Sequence, residues 1–491
     1  MRTWFDGGST SPARPGPLVV PQLDRLIRPV PDARTIGDDL AGRGIKLPPG
    51  GQVYDPEDPM GKMSPASTQQ NTEAGMPRHR RARVTAARDL LAVRGTWPVV
   101  PAGVTRRVLA RCASTAGLAG ACLAVLAGVA TAGTPAWQFE HVPKPPHTSS
   151  YLNAVSCPAR GECIAVGASP SLLGMGNSSP LAARWNGTSW AAQHVPPGKG
   201  VTNSFLYGVS CPSPTNCTAV GWNSSGGTLP LAEQWDGTAW HPTSVPLPAG
   251  AVQGGLNAVS CPAPDNCTGA GWYMPARTLR LPLVEHWNGA SWSVEHVPFV
   301  KYANGSLGGV SCPTTAYCVA TGSWSTLSQN TALFAERWNG TRWSFQNLPL
   351  PAGSTFALLS VSCWRAGHCT AVGGSANGTG QLASIVERMT GTSWALQTDA
   401  APAQTALYGI ACPSGRACTA VGDTTQHGMA RRTGVAEHWN GATWTSQALP
   451  LPPRSTGAEL YGVSCLASSY CTAAGIYGHG PAGSPLADHE G

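Results

Sequence analysis

Short runs of apolar residues, separated by Gly, Pro, Asn and Ser, recur along residues 134–491. In one period, the run Leu206–Ser210 is followed by Thr218–Gly221 and then by Pro230–Glu233. Runs this short that end at turn-forming residues are typical of β-strands rather than helices. The pattern therefore predicts a fold built from many short strands.

Each period closes on Trp-Asn-Gly or a close variant and then a second Trp, as in Trp235-Asp236-Gly237 and Trp240. Asn-Gly or Asp-Gly between two strand-like runs is a strong hairpin signal, since both turn residues must accept positive φ. Each period of about 50 residues therefore predicts four antiparallel strands. Four strands per period is the pattern of a β-propeller blade.

The two ends of the repeat region complement each other. The final repeat stops after a third strand, Pro485–His489, whereas Trp137–Pro143 matches the fourth strand Trp292–Pro298. We expect the N-terminal strand to complete the last blade, because an open array would leave an exposed edge. The predicted fold is an all-β, seven-bladed β-propeller of four-stranded antiparallel blades over residues 134–491, closed by the N-terminal strand.

Fourteen of the sixteen cysteines fall into seven pairs with the spacing Cys-x5-Cys. The five intervening residues predict the turn between the first two strands. The spacing matches no common zinc motif, so no metal site and no cofactor is predicted. Cysteines facing each other across a tight antiparallel turn satisfy the Cα separation of a disulfide. The predicted disulfides are Cys157–Cys163, Cys211–Cys217, Cys261–Cys267, Cys312–Cys318, Cys363–Cys369, Cys412–Cys418 and Cys465–Cys471.

A segment without charged residues, 112–132, follows three arginines and ends on Ala130-Thr131-Ala132. This order of basic, apolar and small residues predicts a signal peptide over residues 104–132. An uncleaved signal anchor, a transmembrane helix, is the alternative, since the segment is long enough to span a bilayer. Both interpretations place the repeats outside the cell, secreted or membrane-anchored, with this segment as the membrane contact.

Residues 1–103 are rich in Pro, Gly, Arg and Asp and show little apolar periodicity, which predicts disorder. A signal peptide normally lies at the start of a chain. One interpretation is therefore a misassigned start, with initiation at Met76 or near Val104. The alternative is a cytosolic tail on an anchored protein.

The net charge of +7 is confined to one part of the chain. Residues 1–133 hold 17 Lys and Arg against 10 Asp and Glu, whereas residues 134–491 hold 15 of each. Nucleic-acid binding requires basic residues clustered on the folded domain. The repeat region is therefore predicted to have no nucleic-acid partner.

The hairpin at Asn288, Gly289 and Trp292 resembles the Asp-box and kelch-type repeats of extracellular propellers, and residues 134–491 resemble exported bacterial repeat propellers. An Asp-box has one residue between Asp and Gly, whereas Asn288 and Gly289 are adjacent. The Gly-Gly doublet of kelch repeats is mostly missing. The resemblance implies architecture only, because propellers host unrelated functions.

Two residue types recur once per period. The first tryptophans could form a stacking platform for sugars, but packing between sheets is favoured because their position repeats. The glutamates predict a repeated hydrogen bond or ion pair. The tryptophans are Trp185, Trp235, Trp287, Trp338 and Trp439, with Met389 in one repeat, and the glutamates are Glu233, Glu285, Glu336, Glu387 and Glu437.

Residues that break the repeat are the candidates for function. In a four-stranded antiparallel blade, the loop between strands two and three shares one face with the linker between blades, and these segments vary. Their exposed Trp, Tyr, Asn and Arg side chains are typical of a surface that binds a polar ligand or a protein. The candidate ligand-binding residues are Trp222, Asn223, Trp272, Tyr273, Arg277, Trp324, Asp423 and His427.

The same loops lack the paired Asp and Glu of glycoside hydrolases. Asp423 and His427 would suit a Ser-His-Asp arrangement, but isolated polar loop residues are more often solvated than catalytic. The sequence therefore predicts an exported, non-catalytic β-propeller that binds a glycan, a cell-envelope component or a protein. A propeller-type glycoside hydrolase or lyase is the alternative.

Overall fold

The structure is a computed structural model, and it describes residues 52–54, 63–65 and 137–490, with gaps at 173–176, 199, 225, 276–278, 301–302, 327–330, 351–356, 377–381, 426–431 and 480–481. The predicted signal segment lies outside the described residues, as does nearly all of 1–103. The chain divides into two compact units, Met1–Cys122 and Leu123–Gly491. Among the described residues, no helix is long and apolar enough to cross a membrane.

In the first unit, β1 (Gln52–Tyr54) pairs antiparallel with β2 (Met63–Pro65). The second unit begins with β3 (Trp137–His141) and continues with seven groups of strands. Sheet 1 contains β4 (Tyr151–Ala159), β5 (Glu162–Pro170), β6 (Ser178–Trp185) and β7 (Trp190–Gln193); sheet 2 contains β8 (Asn203–Ser213), β9 (Asn216–Ser224), β10 (Thr228–Trp235) and β11 (Trp240–Thr243); sheet 3 contains β12 (Ala251–Ala263), β13 (Asn266–Pro275), β14 (Leu281–Trp287) and β15 (Trp292–Glu295); sheet 4 contains β16 (Asn304–Thr314), β17 (Tyr317–Ser325), β18 (Thr331–Trp338) and β19 (Trp343–Leu348); sheet 5 contains β20 (Ala357–Arg365), β21 (His368–Ala376), β22 (Leu382–Thr390) and β23 (Ser393–Gln397); sheet 6 contains β24 (Thr405–Ser414), β25 (Ala417–Thr425), β26 (Arg432–Trp439) and β27 (Trp444–Ala448); sheet 7 contains β28 (Gly457–Ala467), β29 (Tyr470–His479) and β30 (Ala482–Glu490).

Within every sheet the strands are antiparallel and lie in chain order. Sheet 7 takes its fourth strand from the other end of the unit, because β3 pairs with β30 from Trp137 opposite Glu490 to His141 opposite Leu486. Sheets 1 and 2 are also joined by one parallel pair, Ser178 with Asn203. The fold is therefore all-β, with repeated four-stranded antiparallel sheets of the propeller type.

The core lies between successive sheets. Second strands such as β9 are buried on both faces, because a neighbouring sheet packs against each face, and they therefore read as nearly continuous apolar runs. In the described part of the chain, seven hydrophobic clusters each join two successive sheets. One of them joins Ala474 and Ala487 of sheet 7 to Leu152 and Leu181 of sheet 1.

A serine before the first cysteine of each pair links one sheet to the next. The Ser210 hydroxyl accepts a hydrogen bond from the Cys261 N–H at 2.9 Å, and Ser464 of sheet 7 accepts one from the Cys157 N–H of sheet 1 at 3.0 Å. The same bond is made by Ser156, Ser260, Ser311 and Ser362. Sheet 6 has Ala411 at this position, which offers no hydroxyl to sheet 7.

Disulfides join all seven cysteine pairs, Cys157–Cys163 through Cys465–Cys471. The predicted five-residue turn is wrong, because the strands continue past the cysteines. In sheet 2, β8 ends at Ser213 and β9 begins at Asn216, so that the disulfide bridges two paired strands behind a shorter turn. Seven disulfides indicate an oxidising environment.

The Trp-Asn-Gly turns also differ from the expectation. Gly237 has a φ of 96°, but no Asn or Asp of a described turn of this type has a positive φ. Instead, Asp236 Oδ1 accepts hydrogen bonds from the N–H groups of Thr238 and Ala239 at 2.7 and 2.8 Å. A side-chain cap on a longer turn thus replaces the tight turn with two positive φ angles.

The recurring tryptophans pack in the core. Trp235 and Trp240 face each other across β10 and β11, are 6% and 2% exposed, and have ring centroids 5.6 Å apart. Four further sheets hold the same tilted pair. The packing interpretation therefore agrees with their burial, and these rings are not an exposed platform for sugars.

Candidate functional site

The two ends of the sheets differ in regularity. The turn face carries the disulfide turns and the Trp-Asn-Gly turns, which are alike in nearly every sheet. The variable-loop face carries the loops between second and third strands, the linkers between sheets and the strand ends beside them. A binding site is therefore expected on the variable-loop face or at the opening between the first strands.

Every first strand contains a β-bulge at the same place. In β8 the pairing with β9 shifts between Leu206 and Gly208, which leaves Tyr207 as the extra residue. Bulges re-aim a side chain and are frequent beside functional sites. The seven bulged residues line one cavity of about 190 Å³, and they are Asn153, Tyr207, Asn257, Gly308, Leu359, Tyr408 and Tyr461.

A constant glycine on the second strand makes room for this bulge. A Cβ on Gly221 would lie 1.9 Å from the Phe205 carbonyl oxygen, and one on Gly422 would lie 1.9 Å from that of Ala406. No side chain fits there, so the position is Gly in every sheet. The next residue projects beside the first strand. It is Trp in two sheets and a different residue type in each of the others: Ala168, Trp222, Trp272, Ser323, Gly374, Asp423 and Ile476.

Three predicted site residues therefore occupy one equivalent position, but only Trp222 matches the expectation of an accessible ring. Trp222 is partly exposed and lies against Phe205 and Tyr207, with ring centroids 4.4 and 6.0 Å away. Trp272 is 7% exposed and Asp423 is fully buried. The prediction that these two side chains are exposed on loops is wrong, because they lie within strands that neighbouring segments cover.

The other predicted residues that the structure describes lie in three different sheets. Asn223 lies in β9 and Tyr273 in β13, both partly buried, and Trp324 lies near the end of β17 beside a separate pocket. Arg277 and His427 lie outside the described residues. The structure thus brings none of the three described side chains, Asn223, Tyr273 and Trp324, to Asp423.

Residues that the sequence did not connect surround Asp423 instead. The Arg432 Nη1 lies 2.8 Å from a Glu459 carboxylate oxygen, and its Nε lies 3.7 Å from Asp423 Oδ2. Tyr461 donates a hydrogen bond to the same Glu459 oxygen at 2.8 Å, and its ring centroid lies 5.7 Å from that of Tyr408. We call these five residues the Arg432 cluster; it spans sheets 6 and 7 on the variable-loop face.

Burial dominates the electrostatics of the Arg432 cluster. It raises the pKa of Asp423 to about 6, although the Arg432 guanidinium opposes the shift. Burial and the nearby carboxylates raise the pKa of Tyr408 and of Tyr461, which therefore stay protonated and available as donors. Beside the cluster is a pocket of about 220 Å³ lined by Arg432, Glu459 and Thr456.

Two carboxylates therefore flank one arginine on the variable-loop face, although both lie in strands rather than in the variable loops. Asp423 and Glu459 come from different sheets and meet through Arg432. Glu459 could have been recognised from the sequence as a candidate site residue. It lies before the constant Leu of its first strand, and the residue at this position is uncharged in the other six sheets, as with Tyr151 and Phe205. Its partner in another repeat could not be identified from spacing.

The recurring glutamates do not belong to this site. Glu233 is fully buried, and neither carboxyl oxygen has a hydrogen-bond partner among the described residues. The same is true of Glu285, Glu336 and Glu387, so that the predicted hydrogen bond or ion pair is wrong for all four. Burial raises the pKa of each to about 8.

One glutamate is the exception. Glu437 Oε2 accepts a hydrogen bond at 3.2 Å from the N–H of Ala400, in the linker before its sheet. The equivalent linker residue before the unpaired acids is a proline, such as Pro196 before Glu233, and proline has no N–H to donate. The linker sequence therefore explains which carboxyl is paired.

Comparison with known proteins gives no family. No family model matches the chain, and no curated protein matches it. The described residues also contain no group of three or more His, Cys, Asp and Glu that could hold a metal ion.

Solved structures with similar folds are propellers. The chain is similar to the WD40 β-propeller domain of Doa1, with 10% identity and a TM-score of 0.47 over 72% of this chain and 97% of that one. It is similar to YCF48 bound to a D1 peptide, with 13% identity and a TM-score of 0.44 over 73% and 98%. It is also similar to the six-bladed lectin of Aleuria aurantia, with 12% identity and a TM-score of 0.39 over 63% and 99%. Similarities this distant carry no argument about function.

Proposed function

We propose that residues 134–491 form one closed, seven-bladed β-propeller that is exported and binds a glycan, a cell-envelope component or a protein, without catalysis, through its variable-loop face. The Ser464–Cys157 hydrogen bond and the hydrophobic cluster shared by sheets 7 and 1 support a closed ring. Export is supported by the seven disulfides, together with the predicted signal segment at 104–132.

The observation that carries the proposal is the Arg432 cluster. It is the place in the described chain where a guanidinium, two carboxylates and two tyrosine hydroxyls meet, and it interrupts the repeat. Arg432 is 42% exposed at its side chain and Glu459 is 26% exposed, so that a ligand can reach both. A few convergent polar groups in a recess are typical of a binding site.

The size of the neighbouring pocket narrows the ligand. At about 220 Å³ it is smaller than the 300–1,000 Å³ of sites for drug-sized molecules. It suits one ring of a saccharide or one side chain of a protein. Hydroxyl groups of such a ligand could donate to Glu459 and accept from Arg432 and Thr456.

The experiment is a glycan array and a pull-down from envelope extracts with the oxidised, full-length protein. We expect Arg432→Ala to lower affinity for the captured ligand by at least about tenfold, since it removes charged hydrogen bonds. Arg184→Ala is the matched control, because Arg184 makes the same 2.8 Å ion pair with Glu162 in sheet 1, away from the cluster. Equal binding by all three proteins, or no specific ligand at all, would overturn the proposal.

Trp222 provides a second arm. Its partly exposed ring forms an aromatic group with Phe205 and Tyr207 beside the central opening. We expect Trp222→Ala to weaken binding, whereas Trp272→Ala should lower stability because that ring is buried. The reverse pattern would place the site elsewhere on the variable-loop face.

A glycoside hydrolase or lyase is the second candidate function. The observation in its favour is that Asp423 and Glu459 both lie beside Arg432, together with the pKa of about 6 that burial gives Asp423, since a general acid works best near the ambient pH. A panel of chromogenic glycosides tests it. Turnover that Asp423→Asn abolishes would replace the binding proposal.

A further inference from the structure

A second recess on the variable-loop face has a different chemistry. A pocket of about 270 Å³ lies beside the starts of β14, β16 and β20 and the end of β17, across sheets 3, 4 and 5. None of the residues that line it is acidic. They are Arg280, Asn304, Gly305, Ser306, Ser323, Trp324, Ser325, Thr331 and Ala357, and we call this recess the Arg280 pocket.

The contacts that the structure describes for Arg280 involve no carboxylate. Its guanidinium carbon lies 4.2 Å from the ring centroid of Trp272, a cation–π arrangement that fixes the side chain over a buried indole. Its backbone is anchored on both sides, because its N–H donates to Asn304 Oδ1 at 2.9 Å and its carbonyl accepts from the Gly305 N–H at 2.8 Å. The anchoring keeps the cation at the edge of the pocket.

Arg280 differs from Arg184 and Arg432 in having no carboxylate partner among the described residues. Arg184 and Arg432 each lie 2.8 Å from a glutamate oxygen. No acidic side chain of the described residues makes an ion pair with Arg280. The fork of N–H groups on an arginine matches an oxyanion, and here nothing in the described chain fills that role.

The remaining lining adds neutral hydrogen-bonding groups. Ser306, Ser323 and Thr331 offer hydroxyls, and Asn304 offers an amide N–H₂. The indole N–H of Trp324 has no hydrogen-bond partner among the described residues. The described lining thus has one cation, several neutral donors and no acid, which complements a group that carries acceptor oxygens and negative charge.

We propose that the Arg280 pocket binds an oxyanion carried by a saccharide, with Arg280 pairing with its negative charge and the hydroxyl lining meeting the ring hydroxyls. The inference rests on the proposed binding function and gives one of its ligands a chemical class. The carboxylates of the Arg432 cluster disfavour an anion, so that the two recesses of one face select different groups. A uronic acid and a sulfated sugar carry the same chemistry, and the probes distinguish them.

The test is a calorimetric or NMR titration of the oxidised, full-length protein. The probes are glucuronate, glucose, glucose 6-sulfate, inorganic sulfate and a short poly-aspartate peptide. We expect binding of glucuronate or glucose 6-sulfate, at least about tenfold tighter than glucose, and at least about tenfold weaker in Arg280→Gln. The tighter-binding of these two probes identifies the oxyanion as a carboxylate or a sulfate.

Arg184→Gln is the matched control and should bind as the unaltered protein does. Arg280→Lys should keep part of the affinity, since it retains charge but not the fork. If Arg280→Gln lowers the unfolding temperature, Ser306→Asp replaces it, because a carboxylate in the lining should repel the same probes. Equal binding of glucose and glucuronate, or affinity that both variants leave unchanged, overturns the proposal.

The remaining outcomes separate this inference from the proposed function. Binding of inorganic sulfate alone, or of the peptide but neither acidic sugar, overturns the saccharide assignment. Loss of anion binding in Arg280→Gln together with unchanged binding in Arg432→Ala supports this site and rejects the one at Arg432. If an envelope ligand depends on Arg432 and no acidic sugar binds, the site at Arg432 is supported and the Arg280 pocket is rejected.

Discussion

The repeated framework and the variable-loop face obey different constraints, although the same strands build both. At a framework position such as Gly221 or Gly422, the backbone leaves space for one residue type. One residue further along, the strand projects a side chain beside the first strand, and Trp222 and Asp423 occupy equivalent places. A residue is constant between sheets where the backbone geometry accepts one residue type, and it varies where the geometry accepts side chains of different chemistry.

Gly221→Ala is the strongest way to break this comparison. The new Cβ would lie 1.9 Å from the Phe205 carbonyl, so that the bulged strand must move. We expect the free energy of unfolding to fall by about 3 kcal/mol, the upper end for overpacking, in urea denaturation. Gly227→Ala, in the loop of the same sheet with open space around it, is the control. Similar midpoints for the two variants would contradict the constraint.

The buried carboxyls predict a loss of stability as the pH rises from about 4.5 to about 8. Burial raises the pKa of Glu387 to about 8, above its unfolded value of 4.5. The folded state therefore holds a proton that the unfolded chain releases, and the stabilisation, complete below pH 4.5, is lost as the pH rises through about 8. Burial also raises the pKa of Asp488 and of Glu285 to about 8. The nearby charge of Glu140 adds to the rise for Asp488, and that of Glu295 adds to the rise for Glu285.

Glu387→Gln tests this prediction. It should reduce the loss of unfolding free energy between pH 6 and pH 8 by about 1–2 kcal/mol, measured by urea denaturation at each pH. Glu437→Gln is the comparison, and we expect a smaller change because Glu437 already accepts a hydrogen bond from Ala400. Identical pH profiles for Glu387→Gln and the unaltered protein would mean that the carboxyl is ionised when folded.

Substitutions at the linking-serine position test whether the boundary between sheets 6 and 7 differs from the other boundaries between sheets. Ser210→Ala removes the bond to the Cys261 N–H and should cost about 1 kcal/mol. Ala411→Ser should supply the absent hydroxyl between sheets 6 and 7 and gain about 0.5 kcal/mol. Thermal unfolding measures both. A destabilising Ala411→Ser would show that this boundary is packed differently from the rest.

The smallest effect concerns the turn face. Asn339 Oδ1 caps its turn by accepting from the N–H groups of Thr341 and Arg342, as Asp236 does in sheet 2. Asn339→Asp should change the unfolding free energy by less than about 0.5 kcal/mol, whereas Asn339→Ala should cost about 1 kcal/mol. Calorimetry with both variants decides. Equal losses would mean that the cap contributes nothing.

The framework could be predicted because it is repeated. The match between the segments at Trp137 and Trp292 identified the shared last sheet, and the cysteine spacing identified the paired strands. Both patterns occur several times in the sequence. The turn lengths could not be predicted in the same way. Cysteines separated by five residues fit a loop or two paired strands, and only the register places Ser213 opposite Asn216.

The site was less accessible to sequence reasoning, because its contacts join different repeats. Nothing in the spacing connects Arg432 with Glu459, which lies in the next sheet. Burial was also misjudged: Trp272 follows a strand-like run and looked exposed, but the strand continues and Arg280 covers the ring. Asp423 was identified as a residue that breaks the repeat, and its buried setting with Arg432 emerged only from the packing.

The sharing of sheet 7 between distant parts of the chain has a consequence for biosynthesis. Trp137 pairs with Glu490, so that β3 waits for β30 while the intervening sheets are made, on the order of tens of seconds at ordinary elongation rates. During that interval β3 has no partner of its own. In crowded refolding, β3 of one copy can pair with β30 of another, and strand exchange between copies then competes with completion of the monomer.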